Sequence, residues 1–123
     1  MEQEKTTGLY HVYKATIWSL QGLKAAWGEQ AFRMEVGLAT VMIPAAFWLG
    51  TTLLETLFLI AVCALVLICE LANSAIEAVV DRVGTEYHEL SGRAKDMGSA
   101  MVFISLNLAG FTWLAMLWQR FLS

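Results

Sequence analysis

The stretch Glu70-Leu-Ala-Asn73-Ser74-Ala-Ile-Glu77-Ala-Val-Val-Asp81-Arg82 decides the fold of this chain. At 3.6 residues per turn, positions 70, 73, 74, 77 and 81 fall near one line along a helix, so three carboxylates, an amide and a hydroxyl make a polar stripe. The residues between them, Leu71, Ala72, Ala75, Ile76, Ala78, Val79 and Val80, are all apolar, and the run from Thr56 to Cys69 carries no charge. Membrane insertion accounts for both features. A carboxylate near the bilayer centre costs about 2.5–3.5 kcal/mol on insertion scales, so the stripe is expected to face protein and to serve an ion, a proton or a substrate.

Composition agrees: 58% hydrophobic residues, five Trp and one Pro in 123 residues describe a single small integral membrane domain. A net charge of −3 without a basic patch excludes nucleic acid as a partner class. Cys63 and Cys69 stand six residues apart in one expected helix, where geometry disfavours a bridge, and are expected to be free thiols. The opening MEQEKTTG lacks the basic start and apolar core of a signal peptide.

Three membrane spans follow from the charge-free windows, at residues 36–54, 56–80 and 97–118, each able to cross about 30 Å of hydrocarbon. Gly50-Thr51-Thr52, with Glu55 beside it, is the expected turn between the first two, and Gly37 and Pro44 are expected to interrupt the first. Lys5, Lys14, Lys24 and Arg33 precede the first span, Arg82, Arg93 and Lys95 follow the second, and only Arg120 follows the third. This asymmetry puts the amino terminus and a loop at 82–96 on the cytoplasmic side. Residues 8–33 read as an interfacial amphipathic helix, with Tyr10, Tyr13, Ile17, Leu20, Leu23 and Trp27 on one face and His11, Lys14, Gln21 and Lys24 on the other. Such a helix is either a membrane anchor or a lid over a lipid site.

The chain has no phosphate-binding Gly-rich loop, no dinucleotide fingerprint, and no His-x-x-x-His or Cys-x-x-Cys pair. Its two histidines, His11 and His88, stand apart from any Ser and Asp grouping that would suggest hydrolysis. What converges on the cytoplasmic interface is Glu29 and Glu35, the stripe, and Glu86-Tyr87-His88-Glu89 with Arg93, Lys95 and Asp96. That inventory suits phosphoryl transfer, which needs carboxylates for Mg²⁺, cations for phosphates and an acceptor for a hydroxyl proton.

The stripe, followed by Gly84-Thr-Glu-Tyr-His-Glu-Leu-Ser-Gly-Arg-Ala-Lys-Asp-Met-Gly-Ser99, closely resembles the prokaryotic diacylglycerol kinase family, in its Gram-negative branch. Thr6-Thr-Gly8, Gly22-Leu-Lys-Ala-Ala-Trp27 and Ala31-Phe-Arg-x-Glu35 are similar to the family's amino-terminal elements. The resemblance implies an all-α membrane protein: an amphipathic surface helix and three transmembrane helices, assembled as a homotrimeric bundle in the bacterial inner membrane. It also implies ATP-dependent phosphorylation of diacylglycerol. Three thin spans cannot alone enclose a nucleotide and a lipid, which agrees with several copies sharing each site.

Carried over by position, Glu70 is the implied proton acceptor, and Glu29 and Glu77 the implied ligands of a Mg²⁺ that accompanies ATP. His11, Trp18, Asn73, Glu86, Tyr87, His88, Lys95 and Asp96 match positions around the nucleotide. Lys14, Trp18, Lys24, Ala25, Ala26, Arg33, Glu35, Trp48, Glu70 and Ser99 match positions around the lipid. Seven residues separate Glu70 from Glu77, about 10 Å along a helix, with Glu70 deeper where a lipid hydroxyl sits and Glu77 shallower where a nucleotide arrives. From the residues alone, Asn73 either orients an oxygen or joins helices, Asp81 and Arg82 can be a helix-end pair, and Arg33, Lys14 and Trp18 can be interface anchors. Undecaprenol is the rival lipid alcohol; a proton- or cation-conducting subunit is the remoter alternative.

Overall fold

The computed structural model describes residues 5–123, so residues 1–4 of the polar amino-terminal segment lie outside it. Four helices follow one another: α1 Gly8–Ala26, α2 Gln30–Leu49, α3 Leu53–Val83 and α4 Glu89–Phe121. The last three are long and apolar enough to cross a membrane, and the chain is a multi-pass membrane protein. α3 is the central element, packed against both α2 and α4, whereas α1 touches the others only sparsely.

The core lies in the half of the bundle away from the stripe. Ala46 and Leu49 of α2 meet Leu59, Val62, Cys63 and Val66 of α3 and Ala109 and Trp113 of α4. Burial of Thr56 and Ser105 costs little, because each hydroxyl donates to its own helix backbone, to Thr52 O at 3.1 Å and Val102 O at 2.9 Å. Cys63 and Cys69 are free thiols, as their spacing requires.

The turn expected at Gly50-Thr51-Thr52 is present, and its chemistry is visible. Thr52 caps α3 by accepting the Glu55 N–H at 3.1 Å, while the Glu55 carboxylate accepts from the Thr51 N–H at 3.1 Å and the Thr51 hydroxyl at 2.9 Å. Two exchanges of this kind satisfy donors that a helix start leaves open. Gly50 has an ordinary extended backbone (φ −72°, ψ 128°), but a Cβ there would press on Thr56, whose backbone N and Cα would lie 2.9 and 3.0 Å away. Gly50→Val is therefore expected to lower bundle stability by about 1–3 kcal/mol through overpacking. Unfolding in mixed micelles by SDS titration measures this, and wild-type resistance would show that the turn can open without cost.

Three expected boundaries need correction. The helix expected over 8–33 is divided: α1 ends at Ala26, and Phe32 and Arg33 belong to α2. Its last turn tightens as Gly28 N–H bonds Ala25 O at 3.1 Å and Glu29 N–H bonds Ala26 O at 2.8 Å, and Glu29 then takes an extended conformation that begins α2. Pro44 does not interrupt α2, which runs unbroken from Gln30 to Leu49. The loop expected at 82–96 shrinks to residues 84–88, since α3 continues to Val83 and α4 begins at Glu89, capped by His88 Nδ1 accepting from Leu90 N–H at 3.1 Å.

Candidate active site

Helix length fixes depth. At 1.5 Å per residue, α3 is about 46 Å long and α4 about 50 Å, both well beyond a hydrocarbon thickness of about 30 Å. Charge decides which parts protrude: α4 is uncharged between Asp96 and Arg120, so its first turns, with Arg93, Lys95 and Asp96, stand outside the hydrocarbon. On α3, taking Glu55 as one edge, about 20 residues reach the other edge near Ala75. Glu70 then lies one to two turns inside that edge, and Glu77 about half a turn outside it.

The side chains behave accordingly. Glu70 is buried, at 7% exposure, while Asn73, Ser74 and Glu77 are half-buried and Asp81 is exposed. The Asn73 amide donates to Glu77 Oε1 at 3.3 Å, along the α3 surface. Its own carbonyl oxygen is buried without a hydrogen-bond partner and faces Gly98 of α4. An acceptor left so costs about 1–3 kcal/mol, a cost tolerated where function fixes the group. One turn further out, Asp81 Oδ1 pairs with Lys95 Nζ of α4 at 2.8 Å.

Lys95 is engaged by Asp81 and the Arg33 guanidinium donates to Trp27 O at 2.7 Å, so the stripe carboxylates Glu70 and Glu77 keep a negative potential that suits a divalent cation. Among the described residues no three His, Cys, Asp or Glu side chains converge into a closed metal cage. Two carboxylates such as Glu29 and Glu77 nevertheless match the habit of Mg²⁺, which takes one or two from protein and the rest from phosphate and water.

Beside the stripe is a cavity of about 590 Å³. Ser19, Gly22, Leu23, Ala25 and Ala26 of α1 form one wall, Leu71, Ser74, Ala75 and Ala78 of α3 the other, and Glu29 stands in the connection. Small side chains on both helices hold the cleft open, and its size is that of ligand pockets. Ala25, Ala26 and Glu29, taken from sequence as site residues, are brought together here. Glu35 borders a second, smaller pocket of about 190 Å³, lined by Met42, Cys63 and Leu106 among others, between α2, α3 and α4.

Other expected site residues fall in three places. His11 and Trp18 stack edge to face on α1, centroids 6.2 Å apart, with His11 Nδ1 2.7 Å from the Thr6 hydroxyl; Lys14 lies 5.7 Å from the Tyr10 ring centroid. Lys24 is exposed in the last turn of α1. Glu86, Tyr87 and His88 occupy the α3–α4 connection, Lys95 and Asp96 lie on α4 itself rather than on a loop, and Ser99 lies on α4 as expected of the third span. Trp48 is not brought to the site. It sits at the far end of α2, stacked on Phe121 at 5.5 Å and under Arg120 at 6.0 Å, and seventeen residues of α3, about 25 Å, separate that end from Glu70. Gly98 is the neighbour that the sequence reading gave no role; only the register of α4 on α3 reveals it.

Three membrane-crossing helices with a polar stripe on α3, beside a cleft walled by a loosely attached helix, define a small membrane protein with a candidate ligand site. The profile of the family "Prokaryotic diacylglycerol kinase" matches residues 17–117, and the chain belongs to that family. The protein named diacylglycerol kinase in Haemophilus influenzae is 56% identical over 110 residues, covering 89% of this chain and 93% of that protein. Those of Pseudomonas aeruginosa and Escherichia coli K12 are 53% identical over 112 residues and 50% over 117, covering 90% and 94% of this chain and 91% and 96% of those proteins.

Proposed function

We propose that this protein transfers the γ-phosphoryl group of ATP to the free hydroxyl of diacylglycerol, giving phosphatidic acid and ADP, at the cytoplasmic face of a bacterial inner membrane. The observation that carries the reading is the position of Glu70: buried, just inside the hydrocarbon edge, and on the same helix face as the Asn73–Glu77 pair. A diacylglycerol hydroxyl floats at that depth, whereas a nucleotide stays in water, so the transfer has to occur between Glu70 and Glu77. Glu70 accepts the hydroxyl proton as the new P–O bond forms and the bond to the ADP oxygen breaks. Glu29 and Glu77 would hold a Mg²⁺ brought in with ATP, which supplies neutralisation of phosphate charge when bound. Lys95, which pairs with Asp81, would meet the phosphates, and the connection at 84–88 the rest of the nucleotide.

Assembly as a homotrimer belongs to the same proposal. Large apolar side chains such as Leu9, Tyr13, Val41, Phe103 and Phe111 are exposed on the single chain, and lipid or neighbouring copies must cover them. Neighbours would also complete a site that α1 closes only loosely.

The test is direct. Purified protein in detergent micelles receives labelled ATP, Mg²⁺ and either dioleoylglycerol or undecaprenol. Labelled phosphatidic acid is the expected product, formed at least about tenfold faster than undecaprenyl phosphate, the scale of discrimination a few lipid contacts provide. The reverse preference would make the protein a kinase of the long-chain alcohol, and no transfer to either would refute the reading.

A further inference from the structure

We infer that Gly98 of α4 is a positioning residue that keeps Asn73 aimed at Glu77. The inference deepens the reading of Glu77 as a Mg²⁺ ligand and rests on it. The Asn73 amide has two ends in two environments: its nitrogen donates to Glu77 Oε1 at 3.3 Å, and its carbonyl oxygen is buried against α4 with no donor in reach among the described residues. Rotating the amide by half a turn would aim its oxygen at the Glu77 carboxylate, so charge fixes which end faces which. The oxygen therefore has to lie where α4 passes, and Gly98 occupies that place.

Gly98 is buried, and a Cβ built on it would overlap Asn73 Oδ1 and lie 3.4 Å from Asn73 Cγ and 3.6 Å from Asn73 Cα. The two latter contacts are ordinary packing; the overlap with the oxygen is not. Backbone freedom is not the reason for glycine, because Gly98 lies within the regular course of α4. A methyl group would displace one atom, the amide oxygen, and with it the hydrogen bond that orients Glu77. Gly92, on the same helix, supplies the control, since a Cβ there meets nothing within 4 Å. Alanine favours helix over glycine, so both substitutions by themselves improve the helix.

The experiment compares wild type, Gly98→Ala, Gly92→Ala, Asn73→Ala, Asn73→Ala/Gly98→Ala and Glu77→Gln. Binding of ATP with Mn²⁺ as a paramagnetic stand-in for Mg²⁺ is followed through the EPR signal of free Mn²⁺, and lipid phosphorylation and SDS-induced unfolding are measured beside it. Gly98→Ala is expected to weaken Mn·ATP retention and raise KM for the metal–nucleotide about tenfold, the usual effect of disturbing a group that orients a metal ligand, with KM for diacylglycerol and resistance to SDS unchanged. Gly92→Ala should bind as wild type does. In the Asn73→Ala background the Gly98 substitution should add nothing, because the oxygen it displaces is gone. Wild-type retention in Gly98→Ala, or a full additional loss on top of Asn73→Ala, overturns the inference. If Glu77→Gln itself binds Mn·ATP normally, the metal-ligand reading falls instead, so the two failures are distinguishable.

Discussion

Glu70→Gln is expected to lower kcat for diacylglycerol phosphorylation by about 10²–10⁴-fold, the range that a positioned general base contributes. The substitution preserves shape and removes only the ability to take a proton. Glu70 is buried, so replacing its carboxylate by a neutral amide of the same shape lifts the cost of burying a charge and should leave the bundle as stable as before, or more so. Loss of transfer with unchanged SDS resistance would locate the effect in the chemistry rather than in folding. ATP binding should also survive, since Glu70 lies about 10 Å along α3 from Glu77. Initial rates of labelled phosphatidic acid formation in micelles decide the matter; activity within about threefold of wild type would remove Glu70 from its role as proton acceptor.

The parts of this architecture that were readable in advance are those set by local chemistry. The charge-free run before Glu70 and the stripe after it specify α3, and Thr52 with Glu55 specifies where α3 begins. Boundaries were less legible where hydropathy and helicity part company. Hydropathy locates the edge of the bilayer, and a helix need not stop there: beyond Met97 the sequence turns polar, yet Glu89-Leu-Ser-Gly-Arg-Ala-Lys-Asp contains mostly good helix formers and continues α4 into water. The break at 27–29 was hidden for the opposite reason. It is made by two backbone hydrogen bonds of the tighter kind, with one glycine as its only outward sign.

Within the site, the residues of α3 share a face because of helical period alone, and that was visible. Which residues oppose them was not. The apposition of Asn73 with Gly98, and of Asp81 with Lys95, depends on the register between two helices, which no local pattern states. Trp48 shows the same limit in reverse, since its place at the far end follows from the antiparallel course of α2 and α3.

Glu77→Gln should cost about 100-fold or more in kcat/KM, through the metal–nucleotide rather than through the lipid. A neutral amide still accepts from the Asn73 amide through its oxygen, so local packing changes little, whereas the charge that draws a divalent cation falls. Raising Mg²⁺ should recover part of the rate in Glu77→Gln and none in Glu70→Gln, because concentration can offset weak binding but cannot replace a proton acceptor. Glu29→Gln should follow Glu77→Gln in its Mg²⁺ dependence, and the double variant should lose less than the sum of the two, as expected of ligands that share one ion. Rates titrated from low to saturating Mg²⁺ at fixed diacylglycerol measure all of this. If Glu77→Gln instead keeps the wild-type Mg²⁺ curve and raises KM for diacylglycerol, the ordering of the stripe is inverted, with lipid at the shallow end and nucleotide at the deep one, and the assignment of Glu77 to the metal falls.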